Sequence, residues 1–321
     1  MKKMKKLFAL ALTAALTLSL AACGASTTKM TMGTGGSAGT YYGYGGVLGQ
    51  YIKNKAGIDV TVVATDGSKA NNQGIAAGDY QLGTVQSDVM AYAWEGTRSF
   101  ESTGKIDSFR VVAGLYAESV QLVTMDPSIK SVADLKGRSV SIGAPGSGVY
   151  FNATDVLAAA GLTETDINAQ YQSFADSADA LKDGKIDAAF IVAGAPTPAI
   201  TELCTTNSAY LVPIDGAVAD AMMAASPFYT AYVIPAGTYP GQDSDVTTVT
   251  VKATLIVDAK ASDDAVYNLT KAIFDNAADI AKENGKGAEL SLDNATSGMT
   301  APFHKGAAKY FAEKGVTVDA Q

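Results

Sequence analysis

The sequence predicts an α/β fold of two similarly built lobes with a ligand cleft between them, and three features carry that prediction. Short β-branched runs alternate with amphipathic stretches from residue 30 onward, the pattern of parallel strands covered by helices. The order strand, glycine-rich loop, helix occurs twice, at "GTGGSAGTYYGYGG" from Gly33 and at "GAPGSGVYFN" from Gly143. The roughly 300 residues that follow the first 22 are enough for two lobes with cores of their own.

Taken in order, the chain opens "MKKMKKLFALALTAALTLSLAAC", in which four lysines precede an apolar run from Leu7 to Ala22. That run is shorter than the ~20 residues of a membrane span. Charged region, apolar region and small residues in that order form an export signal. Leu20-Ala21-Ala22-Cys23 resembles a bacterial lipobox. The resemblance implies removal of residues 1–22 and a diacylglycerol on Cys23, with residues 23–30 as a short tether to the bilayer. The protein is then expected to be exported. Its anchor is the outer face of the cytoplasmic membrane, or the periplasmic side in a cell with two membranes.

After the tether, "MTMG" leads as a strand into the first glycine loop. Tyr44, Val47, Leu48, Tyr51 and Ile52 then fall on one helical face. "VTVVAT" (60–65) is a strand, "SKANNQGIAAG" a helix closed by Gly78, and "YQLGTVQS" the next strand. "FRVVAGLYAESVQLVTM" (109–125) reads as two strands leading into the second lobe. There "SVSIGA" is a strand, "VYFNATDVLAAAG" a helix stopped by Gly161, "ADSADALKDG" a helix, and "KIDAAFIVAG" a buried strand. The stretches "AAGDYQLGTVQS" and "LKDGKIDAAFIVAG" share one plan, a weak internal similarity between the lobes. "FYTAYVIPAGTYPG" (228–241) returns the chain, and "VTTVTVKATLIV" is a further strand. From Ser262, "SDDAVYNLTKAIFDNAADIAKENG" reads as one helix, capped by Ser262 and stopped by Gly285. The expected lobes are residues 31–123 with 233–321, and residues 124–232.

Composition narrows the function. The chain carries 24 basic and 32 acidic residues, and removal of residues 1–22 leaves 20 basic residues and a net charge of about −12. That excludes a nucleic-acid partner and a basic membrane-binding surface. One histidine and one cysteine besides Cys23 cannot build the usual zinc or copper site. No G-x-S-x-G elbow accompanies His304, so no catalytic residues, metal or cofactor are expected, and the chain is not read as an enzyme. His304 reads as a packing or capping residue or a permease contact, Cys204 and Trp94 as packing positions.

The glycine loops raise the possibility of nucleotide binding. The P-loop pattern is absent, and Gly33 to Ala38 matches G-x-G-x-x-A only as an isolated motif. Small-residue loops at helix N-termini bind anions through backbone N–H groups and the helix dipole. One loop in each lobe suits a small carboxylate held by amides and by hydroxyls such as Ser37, Thr40, Tyr41 and Ser147. The alternative is that the glycines make tight turns and the tyrosines pack. Arg110 and Arg138 do not read as a carboxylate clamp. Asp88 either faces the cleft or caps its helix, and Glu118 is either at the cleft mouth or solvated.

The chain resembles the TAXI group of solute-binding proteins, receptors of TRAP transporters, over about residues 31–316. The likeness rests on "GTGGSAGTYYGYGG", "SKAN" with "GDYQLGTVQSD", "KSVADLKGRSVSIGAPGSG", "KIDAAFIVAGAPTPAI", "VIPAGTYPGQDSDVTTVTVKA" and "HKGAAKYFAEKGV" in order. It implies a type II periplasmic-binding fold with discontinuous lobes joined by hinge strands. It also implies delivery of a small organic anion (glutamate, glutamine or 2-oxoglutarate) to a TRAP permease. An ABC-type receptor for another anionic or aromatic solute is the alternative. The motifs carry over to Gly35, Gly36, Ser37, Tyr41, Tyr42, Ser68, Asn71, Gln86, Ser87 and Asp88 as cleft residues. They carry over likewise to Gly146, Ser147, Gly148, Ala193, Gly194, Ala195 and Pro196. Where the group often has T-G-G-S, this chain has Thr65-Asp66-Gly67-Ser68. Asp66 is then either a helix cap or a cleft residue that pairs with a ligand ammonium.

Overall fold

The computed structural model describes residues 28–321; the export signal, Cys23 and the start of the tether lie outside the described residues. Ten strands form one continuous sheet whose order is β2-β1-β3-β10-β4-β7-β5-β6, with β8 (Tyr210–Val212) on β4 and β9 (Thr230–Ile234) on β10. The first group comprises β1 (Lys29–Gly33), β2 (Asp59–Val63) and β3 (Leu82–Gln86), mutually parallel, with β10 (Val246–Asp258) antiparallel on β3. The second comprises β5 (Ser139–Ser141), β6 (Asn168–Gln170) and β7 (Ala188–Ala193), also parallel, with β4 (Phe109–Thr124) antiparallel on β7. Each group is three parallel strands closed by one antiparallel strand, the shared plan that the two similar stretches of sequence announce.

The helices follow the strands as the pattern requires. α1 (Thr40–Ala56) buries Tyr44, Leu48 and Ile52, while Val47 and Tyr51 are half-buried. It ends at Gly57, whose φ of 69° places it in the left-handed region and lets its N–H close on Lys53 O. α2 (Ser68–Ala77) and α3 (Ser87–Glu95) complete the first half, and α4 (Val149–Ala159), α5 (Phe174–Lys182), α6 (Pro198–Thr206) and α7 (Gly216–Ala225) cover the second. Cys204 packs half-buried beside Ile200 and Leu203, and Trp94 stacks edge-on to Phe109 with its ring centroid 5.6 Å away.

Two expectations need correction. Residues 109–125 are one strand, not two. β4 runs 16 residues without a turn, and its polar pair Glu118-Ser119 is buried inside the sheet. The helix from Ser262 is two, α8 (Asp263–Phe274) and α9 (Ala277–Glu283). At the break the Asn276 amide donates to Ala272 O at 2.9 Å, and Asp275 accepts from Tyr310 Oη and Lys314 Nζ. Side chains that satisfy their own backbone in this way compete with the helical ladder. Ser262 does cap α8, accepting from Ala265 N. The short α10 (Leu292–Thr296) and α11 (Lys305–Glu313) follow, with His304 as the N-cap of α11.

The strand pairings locate the seam. β4 pairs with β10 up to Ser119 and with β7 from Ser119 onward. β10 pairs with β9 (Thr230–Ile234) up to Thr250 and with β3 from Ala253. Ser119 and Thr250 face each other, so both long strands change partners at one level of the sheet. The apolar core divides there too. One cluster includes Leu48, Phe109, Leu255 and Phe311, a second includes Leu122, Val140, Val156 and Val249, and a third includes Ile191, Ile200 and Tyr239.

Candidate functional site

A cavity of about 80 Å³ lies at this seam. One water needs roughly 10–15 Å³ on the same measure, so the space suits a single small molecule. Residues from both halves line it. Gly35, Gly36, Gly39, Thr40, Tyr41, Asp66, Ser68, Gln86 and Glu118 come from the first, and Ser147, Gly148, Gln172, Phe174 and Ala193 from the second. The first turns of four helices meet here. Gly39 precedes α1, Gly67 precedes α2, Gly148 precedes α4 and Ser173 caps α5. First-turn N–H groups have no intrahelical partners and carry the positive end of the dipole.

The halves touch around the cavity. Ala70 N donates to Gly146 O at 3.1 Å, Thr40 Oγ1 to Gly194 O at 2.8 Å, and Ala199 N to Ala38 O at 3.1 Å. A Cβ on Gly148 would stand 1.6 Å from Gln86 Oε1, and one on Gly146 would stand 2.8 Å from Asp66 Cβ. Glycine at both positions lets the second loop lie against the first half.

The polar lining is not satisfied by the protein. Tyr41 Oη, Gln86 Oε1, Glu118 Oε1 and Gln172 Oε1 are buried atoms with no hydrogen-bond partner, a condition rare enough in native proteins that each such group asks for a cause. Glu118 is 2 % exposed. Burial pushes its carboxyl up to about 8; nearby Asp88 adds to this, while Tyr41, Gln86 and Lys286 oppose it.

Of the seventeen residues expected from the resemblance together with Asp66, half line the cavity: Gly35, Gly36, Tyr41, Asp66, Ser68, Gln86, Ser147, Gly148 and Ala193. Ser37 and Tyr42 point outward to solvent. Asn71 is a clip behind the loops, its amide donating to Thr34 O and Thr84 O. Ser87 Oγ accepts from Lys252 N on β10. Gly146, Gly194, Ala195 and Pro196 are not in the lining; Gly146 and Gly194 supply the carbonyls of the inter-half contacts instead. Asp88 does neither of the two things expected of it. The residue at the N-cap is Gln86, and Asp88 is fully buried behind the cavity, accepting from Val89 N and from Asn152 Nδ2 at 2.9 Å. Asp66 does not cap α2, whose N-cap is Gly67 at φ 107°; it stands exposed on the cavity rim. Glu118 is neither at the mouth nor solvated.

Among the lining residues that escaped the sequence reading, Ala144, Val149 and Val192 flank expected site positions, whereas one run lies apart from them. Gln172, Ser173 and Phe174 sit in "YQSF", which carries no glycine signal; only the Ser-x-x-Asp cap at Ser173 marks a helix start there. No group of three or more metal-binding side chains occurs among the described residues.

A second cluster joins the halves beside the cavity. Arg98 pairs with Asp155 at 2.8 Å and stacks over the rings of Tyr92 and Phe151. Tyr229 Oη donates to Asp155, and Asn152 donates to Tyr229 Oη and to Asp88. Arg98 holds a φ of 52°, a left-handed conformation that its contacts across the seam sustain.

Two halves of like topology, two crossing strands and a cavity at the seam define a type II periplasmic-binding fold. The chain belongs to the NMT1-like family, which matches residues 32–315. Among solved structures it is similar to a protein from Bordetella bronchiseptica RB50, at 19 % identity over 89 % of both chains with a TM-score of 0.54. It is also similar to the alkanesulfonate-binding protein of Xanthomonas axonopodis pv. citri bound to MOPS, at 17 % identity over 89 % of this chain and 91 % of that one, TM-score 0.51. A third is an L-cystine ABC transporter assignment from Listeria monocytogenes, at 18 % identity over 82 % of this chain and 98 % of that one, TM-score 0.50. These likenesses are of fold.

Proposed function

We propose that the protein is an extracytoplasmic receptor that closes over one small solute and presents it to a membrane transporter. The observation that carries this reading is the cavity at the seam, with four buried polar atoms lacking protein partners and lining drawn from both halves. Ligand binding without turnover is its role, and lipid on Cys23 keeps it near the membrane. Among the described residues no helix is long and apolar enough to cross a membrane. Replacement of Cys23 by Ser is expected to release the protein from the membrane fraction.

Two transporter partners come into question. Similarity to a structure assigned to ABC transport favours an ABC-type importer, and the TAXI-like motifs favour a TRAP permease. Solute uptake that survives collapse of ion gradients and stops on ATP depletion supports the first; the reverse supports the second.

Thermal unfolding with a panel of small metabolites tests the receptor reading. The panel includes glutamate, glutamine, 2-oxoglutarate, sulfonates and phosphonates. A ligand at 1,000 times its dissociation constant adds about 4 kcal/mol to stability, a rise of several degrees. A panel without effect overturns the reading.

A further inference from the structure

We propose that Glu118 is the specificity-determining residue of this site and that it pairs with a protonated nitrogen of the bound solute. The inference deepens the receptor reading and rests on it. Among the described residues the lining holds two carboxyl groups, Asp66 and Glu118, and no lysine, arginine or histidine. Four helix N-termini supply positive potential for an acidic group of the solute, so the two carboxyls are not needed by an anion, and each would repel it once ionised. A solute carrying both a negative group and a cation uses both features.

Glu118 is the better placed of the two. It is buried at the level where β4 changes partners, whereas Asp66 is exposed on the rim. Lys286, the protein cation that acts on Glu118, makes only a minor contribution and is engaged elsewhere. Lys286 Nζ is bound to Glu289 at 2.8 Å and lies over the Tyr116 ring. The other ionisable groups around Glu118 are Tyr41 on α1, Tyr116 on β4 and Asp88 on α3, and none of them supplies a positive charge. Of the four unpartnered lining atoms, Gln86 Oε1, Gln172 Oε1 and, once ionised, Glu118 Oε1 accept, while the Tyr41 hydroxyl can donate or accept; an ammonium carries three donors and no acceptor.

Without the solute cation, burial keeps the Glu118 carboxyl protonated at neutral pH. Arrival of the ammonium makes the carboxylate the favoured form. The carboxyl O–H bond breaks, its proton leaves to buffer, and the carboxylate accepts hydrogen bonds from the solute N–H groups. Nothing is oxidised or reduced.

Calorimetric titration of the protein in two buffers of different ionisation enthalpy counts the proton. The probes are glutamate and glutamine against 2-oxoglutarate and glutarate, extended to whichever amine-bearing and nitrogen-free members of the metabolite panel stabilise the protein. The expected result is preference for the amine-bearing member of each pair. Proton release should approach one per solute at pH 7 and fall to about half at pH 8, where Glu118 is half ionised beforehand. Affinity for the amine should rise up to about tenfold from pH 6 to pH 7 and level off above pH 8. Glu118→Gln should abolish the proton release and weaken the amine at least tenfold while leaving the nitrogen-free compounds unweakened. The wild-type proton count needs no variant, so misfolding of Glu118→Gln would not blunt the test. Tight binding of nitrogen-free solutes alone, or amine binding without proton release at pH 7, overturns the assignment and leaves the receptor reading standing. A panel in which neither class binds overturns the receptor reading and the assignment with it.

Discussion

Glu118 should reveal its environment in stability as well as in binding. Its carboxyl titrates near 8 in the fold, against about 4.5 in an unfolded chain. Between those values the folded state holds more protons, so this residue's contribution falls as pH rises through the window. Glu118→Gln should therefore melt higher than the parent, by a margin that is small at pH 5 and on the order of 3 kcal/mol at pH 7. Thermal melts at pH 5, 6, 7 and 8 read the margin; a difference independent of pH would mean that water reaches the carboxyl. His304 has the opposite sign. Its Nδ1 accepts from Gly306 N and its Nε2–H donates to Ala261 O, and burial holds its pKa below the ordinary value. The stability it brings is present above about pH 6.5 and is lost as pH falls below it. His304→Asn keeps a capping acceptor and should lose less stability than the parent between pH 7 and pH 5. An identical acid loss in both proteins would exclude the neutral cap. His304 was legible in the sequence as a capping candidate. Glu118 was not, because "LYAES" looks like a solvated end of a strand until the strand is known to continue.

At the scale of elements, the glycine loops were legible because a strand, a run of small residues and an amphipathic helix leave a local signature. β4 was not, since every position but Arg110 and Ala117 is buried. A strand in mid-sheet shows no alternation, and its only polar pair imitates a turn. The break between α8 and α9 was missed for a related reason. Asp275-Asn276 fits the helical period and is decided by partners 35 and 39 residues away. The α8–α11 contact offers a sharp test. A Cβ on Gly306 would stand 2.2 Å from Asp263 O and 2.7 Å from Tyr267 N. Backbone cannot yield as a side-chain tip does, so Gly306→Ala should cost about 1–3 kcal/mol and lower Tm by several degrees. A Tm within a degree of the parent would show that the two helices separate freely.

For the whole molecule, the receptor reading makes the pairing of the halves the functional variable. The Arg98–Asp155 ion pair is bidentate, with side chains 35 % and 23 % exposed, and Asp155 is tied through Tyr229 and Asn152 to Asp88. Partial exposure limits such a pair to about 1 kcal/mol. Arg98→Ala should accordingly weaken solute binding roughly fivefold and enlarge the radius of gyration of the empty protein in small-angle scattering. Unchanged scattering and unchanged affinity would show that the cluster does not hold the halves together. This cross-seam network was invisible in the sequence, because its members lie between 3 and 141 residues apart and none belongs to a recognisable motif.

The contacts that bridge the cavity also govern time. Ala70 resting on Gly146 and Thr40 on Gly194 narrow the way out of the cavity, so on the receptor reading a bound solute is expected to depart when the halves swing apart at Ser119 and Thr250. Residence is then a race between swinging open and swinging shut. Chemically different solutes should share one upper limit on their escape rate, and that limit belongs to the protein. A transporter that prised the seam apart would shorten the stay of every solute by the same factor, without touching one of them.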